Sequence, residues 1–296
     1  MTPPADAGHP PINFIVTADT LAWTANVDGH TVLYITPKSV STDAPVLVAL
    51  TYPQGQPVDM ANLMQAGRLA ADDGAFVVIP AVPGNGQWQD DNPLKPASAG
   101  TSDLHYITDV IQTTLETQPT DPARIYMTGY SNSAFMAERY ACQSGQPLAG
   151  LALVAATQRA TIEATCAPVM PLREVAFSGT SDRIVPYDGI RAGPGFGPYG
   201  VYGAQQTEQL WQTREGCNPA ATTTTALPIN QRDGTSVTLS QNTHCNAGAA
   251  VALYTIHGGG HTWPGNPFFR VDSVYLGTTT HNLDATLAMW AFFTDH

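Results

Sequence analysis

A short apolar run, Ile125-Tyr126-Met127-Thr128, leads through Gly129-Tyr130-Ser131-Asn132-Ser133 directly into a stretch with the apolar spacing of a helix, from about Asn132 to Cys142. No spacer separates the two patterns, so a strand must become a helix within about one residue, at Ser131. Such a junction holds its central residue in a sparsely populated backbone conformation. It also requires small residues two before and two after, so that the helix can approach the strand. Gly129 meets the first requirement, and Ser133 meets the second where glycine is more usual. A serine in that turn presents its Oγ outward. The competing possibility is an ordinary N-cap serine, whose hydroxyl accepts an N–H of the first helical turn.

Strand and helix signals alternate around this junction, the pattern of a mostly parallel sheet with helices on both faces. Strands are expected at Thr31 to Ile35, Val46 to Leu50, Phe76 to Val82, Leu151 to Ala155, Glu174 to Ser178, Ser236 to Leu239 and Val251 to Ile256. Helices are expected at Asp59 to Leu69, from Asp103 through Leu104, Ile107, Ile111 and Leu115, at Gln205 to Arg214, and from Leu283 to Phe293. Pro83 to Thr101 reads as a long loop, and Gly189 to Gly203 as an aromatic-bearing loop with Phe196, Tyr199 and Tyr202. The 296 residues are expected to form a single α/β domain, with residues 1–11 a flexible N-terminal segment.

Twelve Lys+Arg against 24 Asp+Glu give a net charge of −12, with Lys38 and Lys95 as the only lysines. No basic stripe exists to hold nucleic acid or an anionic membrane surface. No stretch reaches the roughly 20 apolar residues of a membrane span, and Met1 to Pro11 is too polar for a signal sequence, so export would imply a signal already removed. Cys142, Cys166, Cys217 and Cys245 contain no CxxC pair. Two disulfides are favoured over zinc, with Cys142–Cys166 and Cys217–Cys245 preferred among three connectivities and four reduced thiols as the alternative.

A serine hydroxyl needs a general base, and the base needs an orienting acid. In this topology they follow the serine in the order acid, then histidine, each just after a strand. Asp182 follows the strand expected at Glu174 to Ser178, and His261 follows the one at Val251 to Ile256. Asp188 competes for the acid role from further along the loop. His257 competes for the base role, but it belongs to the strand end, whereas Gly258-Gly259-Gly260 gives His261 freedom to turn. The i, i+4 spacing of the two histidines also matches a zinc helix, which three glycines and the missing HExxH glutamate disfavour. No metal or cofactor is expected.

These residues carry a family resemblance. The serine turn, Gly179-Thr-Ser-Asp-Arg-Ile-Val-Pro-Tyr-Asp-Gly189 and above all Gly258-Gly-Gly-His-Thr-Trp-Pro-Gly265 resemble the polyhydroxybutyrate-depolymerase-like esterases, an α/β-hydrolase group that includes feruloyl and acetylxylan esterases. Asp121-Pro-Ala-Arg-Ile-Tyr126, Cys217, Cys245, Asp284, Trp290 and Phe292 extend the likeness over most of the chain from about Val46. The resemblance implies a secreted or periplasmic serine esterase, with Ser131 as nucleophile, Asp182 as acid and His261 as base. It also supports the Cys217–Cys245 pair.

One departure stands out: members of that group usually carry His-Gly where this chain has Thr51-Tyr52-Pro53-Gln54. Pro53 has no N–H, so the oxyanion donors are expected to be Asn132 with Tyr52, or with Gln54 in its place. Alternatively, Tyr52 fills part of the cleft. Tyr52, Trp88, Tyr130 and Trp263 are expected to contact a hydrophobic or polymeric acyl substrate. Expected substrates are polyesters such as polyhydroxyalkanoate, aromatic polyesters, and feruloyl or acetyl esters of polysaccharide, acted on by a monomer. The alternatives are a β-diketone hydrolase of oxidised polyvinyl alcohol with the same three residues, and a catalytically silent polymer-binding protein.

Overall fold

The computed structural model describes residues 17–84, 86–92, 102–191, 200–267 and 275–295. The N-terminal segment 1–11, the end of the loop expected after Pro83, and Phe196 and Tyr199 lie outside them.

In chain order the elements are β1 (Thr20–Val27), β2 (His30–Pro37), β3 (Ala44–Leu50), α1 (Pro57–Leu63), α2 (Ala66–Asp73), β4 (Phe76–Pro80), α3 (Asp103–Thr117), β5 (Thr120–Tyr130) and α4 (Asn132–Gln143). There follow β6 (Gly150–Val154), α5 (Ala160–Glu163), β7 (Arg173–Gly179), α6 (Ala204–Arg214), β8 (Thr223–Ala226), β9 (Ser236–Asn242), β10 (Ala250–His257) and α7 (Ala285–Thr294). Among the described residues the strands form one sheet in the order β1-β2-β4-β3-β5-β6-β7-β10-β9-β8. The run from β4 to β10 is parallel, and the strands flanking it on each side are antiparallel.

Both faces of the parallel run are covered, which explains its continuous apolar strands. On β3, Val46, Val48 and Leu50 face the layer of α3, α4 and α6, while Leu47 and Ala49 face α1, α2 and α7. The parallel strands therefore place their carboxyl ends, and the loops that leave them, along one edge of the molecule.

Three differences from the expected elements have physical causes. The hairpin β1–β2 turns at Asp28 (φ 50°) and Gly29 (φ 82°), so an Asp-Gly pair marks a strand that apolar runs alone do not reveal. The helix expected at Asp59 to Leu69 is two helices, because Asn266 Nδ2 and Thr286 Oγ1 capture the carbonyls of Leu63 and Met64 at 2.5 and 2.7 Å, and Gln65 turns to φ 53°. β5 is longer than its apolar run and continues to Tyr130. Disulfides join Cys142 to Cys166 and Cys217 to Cys245.

Under α4 and α6 the core holds carboxyl groups. Burial pushes Glu138 up to about 8 and Glu215 up to about 7 from an ordinary 4.5, and raises Glu174 well above it. From about pH 5 up to each group's folded value, about 7 for Glu215 and about 8 for Glu138, the unfolded chain has released the proton while the native state keeps it. The stabilising contribution is therefore complete below the unfolded value and is lost as pH rises to the folded one. Urea midpoints are expected to fall over this range, and to fall less in Glu138→Gln, which is neutral in both states. An identical fall in that variant would contradict this.

Candidate active site

Ser131 sits between β5 and α4 with φ 59° and ψ −123°, outside the extended conformation of an N-cap residue, and its side chain accepts no cap hydrogen bond. The N-cap alternative is thereby excluded. A side chain at Gly129 would put its Cβ 2.4 Å from the carbonyl carbon of Ser133, so the crossing of helix and strand admits only glycine there. Ser133 does more than stay small. Its buried hydroxyl accepts from the Tyr130 N–H at 2.8 Å and donates to the Tyr130 carbonyl at 2.9 Å, locking the last strand residue. The Ser131 N–H donates to the Val154 carbonyl at 3.0 Å, tying the turn to β6.

Asp182 and His261 meet at the same sheet edge. The carboxylate Oδ2 lies 2.7 Å from His261 Nδ1, with Asp182 6% and His261 3% exposed. Oδ1 accepts the N–H groups of Ile184 and Val185 at 2.8 and 2.9 Å, so the acid is fixed by its own loop. The His261 backbone is held from two sides: its N–H donates to the Leu276 carbonyl, and its carbonyl accepts from Tyr130 Oη, each at 2.6 Å. The Tyr130 ring lies 5.2 Å from the imidazole. The glycines before His261 serve both freedom to turn, at Gly258 with φ 76°, and close packing. A Cβ at Gly260 would lie 2.0 Å from the Leu276 carbonyl oxygen, and one at Gly179 would lie 2.4 Å from that of Gly259.

The competitors fall elsewhere. Asp188 is exposed, and exposed His257 pairs its Nε2 with Thr238 Oγ1 of neighbouring β9 at 2.9 Å. The Ser131 hydroxyl makes no hydrogen bond with a described residue. In structures without substrate, catalytic hydrogen bonds are often long and tighten only when substrate is bound.

Trp88 links the two expected oxyanion segments. Its indole Nε1 donates to the Thr51 carbonyl at 2.7 Å, its backbone N–H donates to Asn132 Oδ1 at 3.0 Å, and Asn132 Nδ2 donates to its carbonyl at 3.2 Å. Thr51 Oγ1 donates to the Pro80 carbonyl at 2.7 Å. The Thr51 carbonyl and the Tyr52 N–H belong to one trans peptide unit and point in opposite directions, so anchoring the first orients the second. The Gln54 N–H is used by the Gly86 carbonyl at 2.8 Å, whereas the backbone N–H groups of Tyr52 and Asn132 donate to no described residue. Of the two second donors open from sequence, Tyr52 is the one left available.

The expected aromatic contact surface needs correction. Trp88 and Trp263 are each 1% exposed, and their indole N–H groups are satisfied by Thr51 and Thr286. Tyr130 is buried too. Only half-buried Tyr52, packed edge-on against Tyr130 at 6.2 Å, reaches solvent. Burial pushes its hydroxyl up to about 12, so it stays neutral.

No protein-family model matches the chain. NocK of Nocardia uniformis subsp. tsuyamanensis, a protein assigned to the esterases, is 28% identical over 213 residues, 69% of this chain and 61% of that protein. Feruloyl esterase B of Piromyces equi is 27% identical over 224 residues, 74% of this chain and 39% of that protein. The matches thus span less than two thirds of either relative. An acetyl xylan esterase structure from Aspergillus awamori superposes with a TM-score of 0.58 at 16% identity, over 82% of this chain and 94% of that one. The chain has the α/β-hydrolase fold.

Proposed function

We propose that this chain is a serine esterase that works through an acyl-enzyme. The observation carrying the proposal is the strained Ser131 at a strand–helix junction on the same sheet edge as a buried His261–Asp182 pair. Ser131 Oγ attacks the ester carbonyl carbon while His261 Nε2 takes its proton. The carbonyl electron pair moves onto oxygen, where the N–H groups of Asn132 and Tyr52 receive it. Collapse expels the alcohol, which takes the proton from His261. Water, activated by the same imidazole, then releases the acid. Nucleophile, base and acid come from one chain, so a monomer suffices.

Among acyl substrates, feruloyl or acetyl groups on polysaccharide are favoured. One curated relative is a feruloyl esterase, and the burial of Trp88 and Trp263 removes the stacking platform that would favour polyester. Two disulfides support action in an oxidising, extracellular or periplasmic space. The test is a panel of p-nitrophenyl acetate, methyl ferulate, acetylated xylan, polyhydroxybutyrate film and a β-diketone, with wild type and Ser131→Ala. Hydrolysis of the esters by wild type alone is expected. Cleavage of the diketone alone, or equal ester hydrolysis by Ser131→Ala, would overturn the proposal.

A further inference from the structure

We infer that a groove beside the catalytic edge, between α6 and the uncovered face of β8, β9 and β10, binds a neutral oligosaccharide. The groove encloses about 670 Å³, the size of a small-ligand site. Its floor is a hydroxyl lattice set by strand register: Thr224 pairs with Ser240, and Thr238 with Thr255, so these side chains share one face. Gln205 and Gln209 border it from exposed positions on α6.

The lining selects among ligand classes. Among the described residues no Lys or Arg lines it, so an anionic ligand meets no counter-charge there, and Leu253 and Pro219 are too little apolar surface to hold an aliphatic chain. Hydroxyls and carboxamides, each both donor and acceptor, match the hydroxyls of a sugar. The rings of Tyr187 and His257 add flat surfaces.

One group points to a missing partner. Glu208 is only 7% exposed, and its Oε1 accepts from Ser240 Oγ at 2.5 Å and Gln212 Nε2 at 3.1 Å, but its Oε2 accepts from no described residue. That oxygen opens on the groove, where it is an acceptor for a ligand hydroxyl in place of water.

The groove's position suits a polymer. Leu253 to His257 runs roughly 13 Å along β10, room for two or three sugar rings. Its upper end at Thr180 lies two residues before Asp182, and Thr180 Oγ1 accepts the Gly258 N–H at 2.9 Å, between the loops that carry the acid and the base. A glycan lying there would end beside the loops that carry Asp182 and His261, and Ser131 itself does not line the groove.

Calorimetric titration of full-length Ser131→Ala tests this without relying on acyl transfer. Saturable binding is expected for xylohexaose or cellohexaose, and none for an oligogalacturonate or a hydroxybutyrate oligomer. Adding Thr224→Arg, at an exposed position of edge strand β8, or Glu208→Gln is expected to weaken sugar binding about tenfold or more. Absence of neutral-sugar binding, equal binding of the anionic oligomer, or unchanged affinity in either variant would overturn the inference. Sugar binding by a chain that hydrolyses no ester would overturn the proposed activity and leave this site standing.

Discussion

Asp182→Asn is expected to lower kcat on p-nitrophenyl acetate by about 10⁴, with KM and fold little changed. The size of the effect follows from the hydrogen bonds around the carboxylate. Oδ1 is committed to the N–H groups of Ile184 and Val185, which demand an acceptor. An asparagine must therefore place its oxygen there and turn its NH₂ toward His261 Nδ1. The imidazole answers by accepting at Nδ1 and carrying its proton on Nε2, the tautomer that cannot take a proton from Ser131. Because the His261 backbone is pinned by Leu276 and Tyr130, the ring has little means of escaping through a different loop conformation. A loss of less than about tenfold would mean that Asp182 does not set the tautomer.

Trp88→Phe is expected to lower kcat by about 10², the range for a lost oxyanion donor, with KM moved far less. Phenylalanine keeps an aromatic ring against Tyr106, whose centroid lies 6.2 Å from that of Trp88, but removes the N–H that fixes the Thr51 carbonyl. The peptide unit carrying the Tyr52 N–H then loses its anchor in a buried setting. A purely structural tryptophan would instead show its effect in the urea midpoint. Unchanged kcat with a lowered midpoint would assign Trp88 to packing alone.

These two residues also mark the boundary of what sequence reveals. Asp182 is legible because strand patterns are local: the apolar run that forms β7 ends at Gly179, and the acid follows at once. The same holds for His261 after β10, and for Ser131, where two periodicities meet without a spacer. Trp88 is misread from sequence as a substrate platform. Composition cannot distinguish an exposed indole from one whose N–H is satisfied by a carbonyl 37 residues away in sequence. Of the glycines before His261, Gly258 with φ 76° has the freedom to turn that sequence suggests, whereas the close approach of the Leu276 carbonyl to Gly260 is not legible in the local pattern. The break between α1 and α2 depends on Asn266 and Thr286, more than 200 residues away in sequence, and no local pattern could have announced it.

The most direct measurement is covalent labelling with a fluorophosphonate, read by intact mass and peptide mapping. One adduct per chain is expected, on Ser131, abolished in Ser131→Ala and strongly slowed in Asp182→Asn. An unlabelled wild type, or equal labelling of Ser131→Ala, would contradict a Ser131 acyl-enzyme.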